Sequence, residues 1–211
     1  MSSSIPRSLV TRRLAVLVSG RGSNLQSIID AIDRGALDAT ISVVISNRAD
    51  AAALLRAREA RIETVWLNPR DYPDREAYDR AMVEHLNARD VGLVCLAGFM
   101  RVVGAPLLEA FRERVLNMHP SLLPAFPGLD AQRQALEHGV RVSGATVHLV
   151  TADLDGGPIV LQSAVPVLDD DTVDTLSARI LVEEHKIYPE AIRVVLDGGW
   201  HLEGRRFRRS T

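Results

Sequence analysis

Apolar positions along this chain change period in a regular way. Leu14–Val18 is a short apolar run ending in Ser-Gly, the pattern of a buried strand. Ser23–Ile32 then places Leu25, Ile28, Ile29 and Ile32 on one helical face. Ile41–Ile45 predicts a second strand. Asp50–Ala60 predicts an Ala-rich helix with Asp50 as N-cap. Ile62–Leu67 predicts a third strand, Asp74–Ala88 a long amphipathic helix, Val91–Ala97 a fourth strand, Pro106–Phe111 a short helix, and Val115–Met118 a fifth strand.

Strands that are apolar on both faces and alternate with helices imply an α/β fold. The expected architecture is a Rossmann-like, mostly parallel sheet flanked by helices. The pattern changes after the fifth strand. Pro120–Asp130 carries three prolines and reads as a structured loop, followed by a helix over Ala131–His138. Ser143–Val150 and Pro158–Val165 flank the turn-rich Asp153–Gly157 and predict an antiparallel hairpin at one sheet edge in the C-terminal part. Thr172–Leu196 predicts a long helix ended by Asp197-Gly198-Gly199, and Trp200–Phe207 a small hairpin around Glu203-Gly204. The organisation expected is a disordered leader over 1–12, a single domain over 13–199, and a terminal hairpin or tail over 200–211.

Composition narrows the function. Among 211 residues, 46% are hydrophobic and 25% charged, with a formal net charge of −2. That balance fits a soluble small-molecule enzyme, not a nucleic-acid binder with a basic excess. The one cysteine, Cys95, lies in an apolar strand and points to a reducing, cytoplasmic setting. No apolar run is long enough to cross a membrane. Arg205, Arg206, Arg208 and Arg209 read as a solvated end. No histidine spacing suits a metal, so none is expected.

Two segments carry candidate chemistry. Ser19-Gly-Arg-Gly-Ser-Asn24 joins the first strand to the first helix, where successive backbone N–H groups at the positive helix end make an anion site. A dinucleotide fingerprint would have glycine at position 25, where Leu25 stands, and a P-loop would have a lysine. A single terminal phosphate, as on a phosphoribose, is the ligand class that remains. A ligand-free βα turn that simply needs glycine is the alternative. The second segment is Asn117-Met-His-Pro-Ser-Leu-Leu-Pro124, at the carboxyl end of the fifth strand, where ligands of open α/β sheets bind. Asn117 and His119 are two apart, so in extended chain they project to one side and could both donate to one oxygen. Pro120 stiffens the chain just beyond. Asp155 sits in a turn; it either serves turn chemistry alone or reaches His119 and favours its protonated form. His148 borders the site or is structural.

From about Leu14 to Gly198 the chain resembles the folate-dependent phosphoribosylglycinamide formyltransferases. The resemblance is carried by Ser19-Gly-Arg-Gly-Ser-Asn-Leu-Gln26, Ser46-Asn-Arg-Ala-Asp50, Leu96-Ala-Gly-Phe-Met-Arg101, Asn117–Pro124, Gly144-Ala-Thr-Val-His148, Asp153-Leu-Asp-Gly-Gly-Pro158 and Glu184-His-Lys-Ile-Tyr-Pro189. It implies the formyltransferase fold, with a phosphoribose-binding half over 13–112 and a catalytic and folate half over 113–199. It implies Asn117, His119 and Asp155 as the catalytic trio. Gly22, Ser23, Asn24, Leu25, Gln26, Pro120 and Glu184 would hold the phosphoribosylglycinamide (GAR). Arg75, Met100, Arg101, Val102, Val103, Asn117, Thr151, Ala152 and Asp153 would line the folate pocket. The co-substrate would be 10-formyltetrahydrofolate, with both partners small molecules and the protein a monomer or homodimer. Leu181 departs from the Lys or Gln common in relatives.

The reaction so implied is direct attack by the glycinamide amine, with the tetrahedral oxyanion held by Asn117 and His119. Methionyl-tRNA formyltransferase would add a C-terminal tRNA domain, and formyltetrahydrofolate deformylase an N-terminal regulatory one. A phosphosugar-binding sensor would account for the glycine-rich loop but not for the Asn117–His119 pair.

Overall fold

The computed structural model describes residues 11–209. The strands are β1 (Arg13–Val18), β2 (Thr40–Ser46), β3 (Thr64–Trp66), β4 (Leu93–Leu96), β5 (Val115–His119), β6 (Val142–Leu149), β7 (Ile159–Pro166), β8 (Trp200–Glu203) and β9 (Arg206–Arg209). They form one sheet in the order β3-β2-β1-β4-β5-β6-β7-β9-β8. The first five run parallel, and β6 and β7 then reverse against β5 and against each other. The helices are α1 (Ser23–Asp33), α2 (Ala52–Glu59), α3 (Arg75–Asn87), α4 (Ala105–Ala110), α5 (Ala131–Glu137) and α6 (Val173–Asp197).

Strand alternation divides the core in two. Leu14, Val16 and Val18 of β1 face one cluster with Leu25 and Ile28 of α1 and Ile180, Tyr188 and Ile192 of α6. Ala15 and Leu17 face the other, with Tyr78, Met82 and Leu86 of α3 and Leu107 of α4. Successive side chains of a strand point to opposite faces, so both faces must be apolar, which is why β1 reads as an unbroken apolar run. In β5, Leu116 and Met118 join the α1–α6 side and Val115 the α3–α4 side. Asn117 and His119 therefore lie on the α3–α4 face, beyond the last apolar residue of that face.

Local chemistry sets several boundaries. α6 starts with a capping box, in which Thr172 Oγ1 accepts from Thr175 N–H and Thr175 Oγ1 accepts from Thr172 N–H. It runs through Pro189, forgoing one backbone bond to remain a single packed rod. It ends at Gly198 and Gly199, both at positive φ. The Tyr188 hydroxyl, buried under the sheet, lies 2.8 Å from the Leu96 carbonyl and 3.3 Å from that of Leu116. It thereby bridges the adjacent strands β4 and β5.

Four expectations are revised. The N-cap of α2 is Ala51; Asp50 instead pairs with Arg48. The third strand is only Thr64–Trp66, because Ile62 N–H closes the end of α2 on the Ala57 carbonyl. The β6–β7 hairpin is not the sheet edge, since β9 adds to β7 through Ile159 and Arg206, and β8 lies outside it. Thr11 and Arg12, expected in the leader, bond to Asp90 and to Asp38 and Asp197. The rest of the leader lies outside the described residues.

Tyr188→Phe removes one hydroxyl without changing the packed ring. It should lower the unfolding free energy by about 1–2 kcal/mol, read by urea denaturation. An unchanged midpoint would mean that the Leu96 and Leu116 carbonyls do not depend on it.

Candidate active site

The first part of the site is the β1–α1 turn. Gly22 is the N-cap of α1, in the left-handed region at φ 75. A Cβ there would also lie 2.6 Å from Ala53 Cβ, so glycine is required twice over. Gly22 has no side chain to cap the helix, and the N–H groups of Ser23, Asn24 and Leu25 have no intrahelical acceptor. Leu25 itself is fully buried in the core, so only its backbone can meet a ligand. Asn24 Nδ2 donates to Glu184 Oε2 at 2.7 Å, joining α1 to α6. Asn24 Oδ1 is buried without a partner. Burial pushes the Glu184 carboxyl above its ordinary value, against the opposing pull of Asn24 and the Arg21 charge.

Ser19 ties this turn to the next segment. Its hydroxyl donates to Asn47 Oδ1 at 2.6 Å and accepts from Met100 N–H at 2.8 Å. The segment after β4 is fixed from α3 as well: Asp79 Oδ2 accepts Gly104 N–H at 2.6 Å. Burial raises the Asp79 carboxyl above its usual range. The Arg101 guanidinium lies 5.1 Å from the Tyr78 ring centre, and Arg75 opens α3 beside Gly104. Arg75, Arg101 and Val103 thus meet on one side of α3. Met100 and Val102, expected to line a folate pocket, are large apolar side chains left exposed, as is Leu154 beside Asp155. Thr151, Ala152 and Asp153 are exposed in the loop that ends on Asp155.

The centre is a cluster of four side chains. His119 is 4% exposed, so its ring nitrogens depend on protein partners. Nε2–H donates to the Phe126 carbonyl at 2.9 Å, and Nδ1 faces Asp155 Oδ2 at 3.4 Å. Both nitrogens thus face acceptor oxygens. His148 is paired directly with Asn117 across the β5–β6 ladder. Its Nδ1–H donates to the Leu149 carbonyl at 3.0 Å, leaving Nε2 to accept from Asn117 Nδ2 at 3.1 Å. The same Nε2 lies 3.7 Å from Asp155 Oδ1, beyond hydrogen-bond reach. Asp155 therefore stands between two imidazoles, in the left-handed region at φ 49. Gly128 N–H adds a bond to its Oδ2 at 2.8 Å.

The loop after β5 is held by a second ladder residue. Thr146 Oγ1 donates to the Ser121 carbonyl at 2.6 Å and accepts Leu123 N–H at 3.0 Å. Gln162 Nε2 donates to the Leu123 carbonyl at 2.9 Å. Pro120 is half-buried at the start of this loop. The Asp155 turn is seated as closely: a Cβ on Gly157 would lie 1.7 Å from the Leu149 carbonyl oxygen.

Sequence reasoning ranked His148, Thr146 and Ser19 low or left them out. The signal for His148 and Thr146 was a register, Asn117 opposite His148 and His119 opposite Thr146. A period-two pattern alone does not give it.

Comparison with known proteins follows the same outline. The model of a family described as formyl transferase matches residues 12–192. Phosphoribosylglycinamide formyltransferase of Escherichia coli (strain K12) is 46% identical over 185 residues, 88% of this chain and 87% of that protein. The trifunctional purine biosynthetic protein adenosine-3 of Bos taurus is 47% identical over 190 residues, 90% of this chain. The chain spans only 14–19% of the length of such trifunctional relatives. Glycinamide ribonucleotide transformylase 1 from Symbiobacterium toebii superposes with a TM-score of 0.94 at 57% identity, over 95% of each chain.

Burial works to raise the Asp155 carboxyl, but His148, the Gly128 N–H and His119 outweigh it and hold it below the ordinary 3.8. A depressed folded value stabilises the fold above the unfolded value, and the contribution is lost as pH falls through the folded one. Asp155→Asn should therefore flatten the loss of stability as pH falls below about 4, measured as denaturant midpoints. Parallel curves for the two proteins would remove the coupling.

Proposed function

The chain belongs to the formyl transferase family, and from that premise we propose that it moves a formyl group from 10-formyltetrahydrofolate to the amine of GAR. The products are formyl-GAR and tetrahydrofolate, a step of purine synthesis. The observation that carries the reading is the cluster of amide, imidazole and carboxylate on one sheet face, with His119 Nδ1 3.4 Å from Asp155 Oδ2. A small-molecule reaction in the cytoplasm suits a chain with one cysteine and so no internal disulfide. No helix among the described residues is long and apolar enough to cross a membrane.

The amine is its own nucleophile. Free α-amino groups titrate near about 7.7–8.0, so a useful fraction is neutral at physiological pH. Nitrogen attacks the formyl carbon, and its carbonyl oxygen becomes an oxyanion. Asn117 Nδ2 carries a second N–H beyond the one given to His148, and this donates to that oxygen. His119 Nε2–H exchanges the Phe126 carbonyl for the same oxygen. Asp155 receives the proton lost by the attacking amine, directly or through water, and stabilises the His119 cation. His119 then protonates the folate nitrogen as the carbon–nitrogen bond to it breaks. Glu184 and the unpartnered Asn24 Oδ1 accept from ribose hydroxyls. The exposed Met100 and Val102, with Arg75, Arg101, Val103 and Thr151–Asp153, take the folate. A phosphosugar-binding sensor would use the β1–α1 turn but leaves the buried His119–Asp155 pair without a task.

Incubation with GAR and 10-formyltetrahydrofolate should release tetrahydrofolate, and no release from folded protein would reject the function. Asn117→Ala and His119→Ala should each lower kcat by about a hundredfold or more. Wild-type turnover in folded His119→Ala would sink its assignment. His148→Ala should lower kcat by a smaller factor, about tenfold, because the Asn117 amide loses its orienting partner but keeps its donors. A loss confined to KM would deny His148 that role.

A further inference from the structure

We propose that Arg56 is the cation that reads the phosphate of the substrate, in a cavity beside the β1–α1 turn that also takes in His185. This rests on the reading of the substrate given above. The cavity holds about 330 Å³ and is lined by Ser23, Gln26, Ser27, Arg56 and His185, with Asp30 and Arg34 at the side. Ser23 belongs to the first turn of α1, whose leading N–H groups lack acceptors; Gln26 N–H is the first to bond back, to Gly22 O at 2.9 Å.

A phosphate monoester is a dianion at neutral pH. Neutral N–H groups would leave that charge uncompensated and close to Glu184, which is held to Asn24 in the same turn. A cation in the cavity offsets both charges. Arg34 is exposed beyond the far end of α1, whereas Arg56 is half-buried and tethered. Its Nε donates to the Arg21 carbonyl at 2.9 Å and its Nη1 to Gln26 Oε1 at 3.4 Å. Among the described residues, no carboxylate forms an ion pair with Arg56. The nearest acid of the cavity, Asp30, already accepts from Gln26 Nε2 at 2.8 Å.

The tether leaves three of the five guanidinium N–H groups uncommitted, in a planar fork that matches two phosphate oxygens. His185 supplies a further polar atom, because its Nε2 is buried without a partner. Burial also lowers the affinity of His185 for a proton, against the opposing charge of Asp30. The ring's unpartnered nitrogen offers an anion a hydrogen-bonding atom, and the permanent positive charge of the cavity is that of Arg56. Arginine at this place is therefore a specificity element for the phosphorylated substrate, separate from the reacting atoms.

The test compares GAR with its dephosphorylated riboside in wild type, Arg56→Ala, Arg56→Lys and Arg58→Ala. Arg58 lies on the same helix but outside the cavity, and is the control for loss of one positive charge. Arg56→Ala should raise KM for GAR about tenfold or more with kcat nearly unchanged, and leave kcat/KM for the riboside at the wild-type value. Arg56→Lys should fall between, and Arg58→Ala should match wild type. Calorimetric titration with inorganic phosphate should show binding to wild type and about tenfold weaker binding to Arg56→Ala. An equal penalty on both substrates, or unchanged phosphate binding, overturns the role of Arg56. The titration needs no formyl transfer, so it judges Arg56 even if GAR proves not to be the substrate.

Discussion

Antiparallel pairing of β6 against β5 is the constraint from which the centre of this molecule follows. Ladder hydrogen bonds set Asn117 opposite His148 and His119 opposite Thr146, and the pleat puts all four on one face. Asn117 and His148 then bond side chain to side chain, while Thr146 fixes the loop that leaves His119. A slip of one residue would turn the β6 pair into the opposite core. The apolar residues that oppose such a slip are Ala145, Val147 and Leu149, all fully buried on the other face. Packing on one side of β6 thus sets the geometry of polar groups on the other.

The parallel half of the sheet contributes differently. Its strands end together, and the segments leaving β1, β2 and β4 are held by one hydroxyl, that of Ser19. No charge is needed there, because Asn47 and the Met100 N–H complete it. Charge is placed further out, on Arg21, Arg56, Arg75 and Arg101, where water still reaches the guanidinium groups. Glu184, a buried acid beside the β1–α1 turn, keeps an amide partner and a raised proton affinity.

Much of this was legible from residue order alone. The α/β class, the parallel start and antiparallel end, and the placement of Asn117 and His119 on one face follow from period and position. The extent of α6 was legible because Thr172 caps it and Gly198 and Gly199 end it. Asp155 was not, since a turn aspartate looks the same whether or not it reaches an imidazole. Its orientation depends on Gly157 lying against the Leu149 carbonyl, a contact made only in three dimensions. The Asp50 cap failed because Arg48, two residues away, offered that carboxylate a charged partner. The outer strands β8 and β9 read as a local hairpin; only the contact of Arg206 with Ile159 makes them part of the sheet.

The bond between Asn24 and Glu184 closes a loop of 160 residues. Both partners are polar and lie at the junction of α1 with α6, so neither is satisfied until the final helix docks. During synthesis, the glycine-rich turn would leave the ribosome early and wait, structurally incomplete, for nearly the whole polypeptide to follow. A chain cut short before α6 would therefore keep the conspicuous motif and lack the carboxylate that completes it.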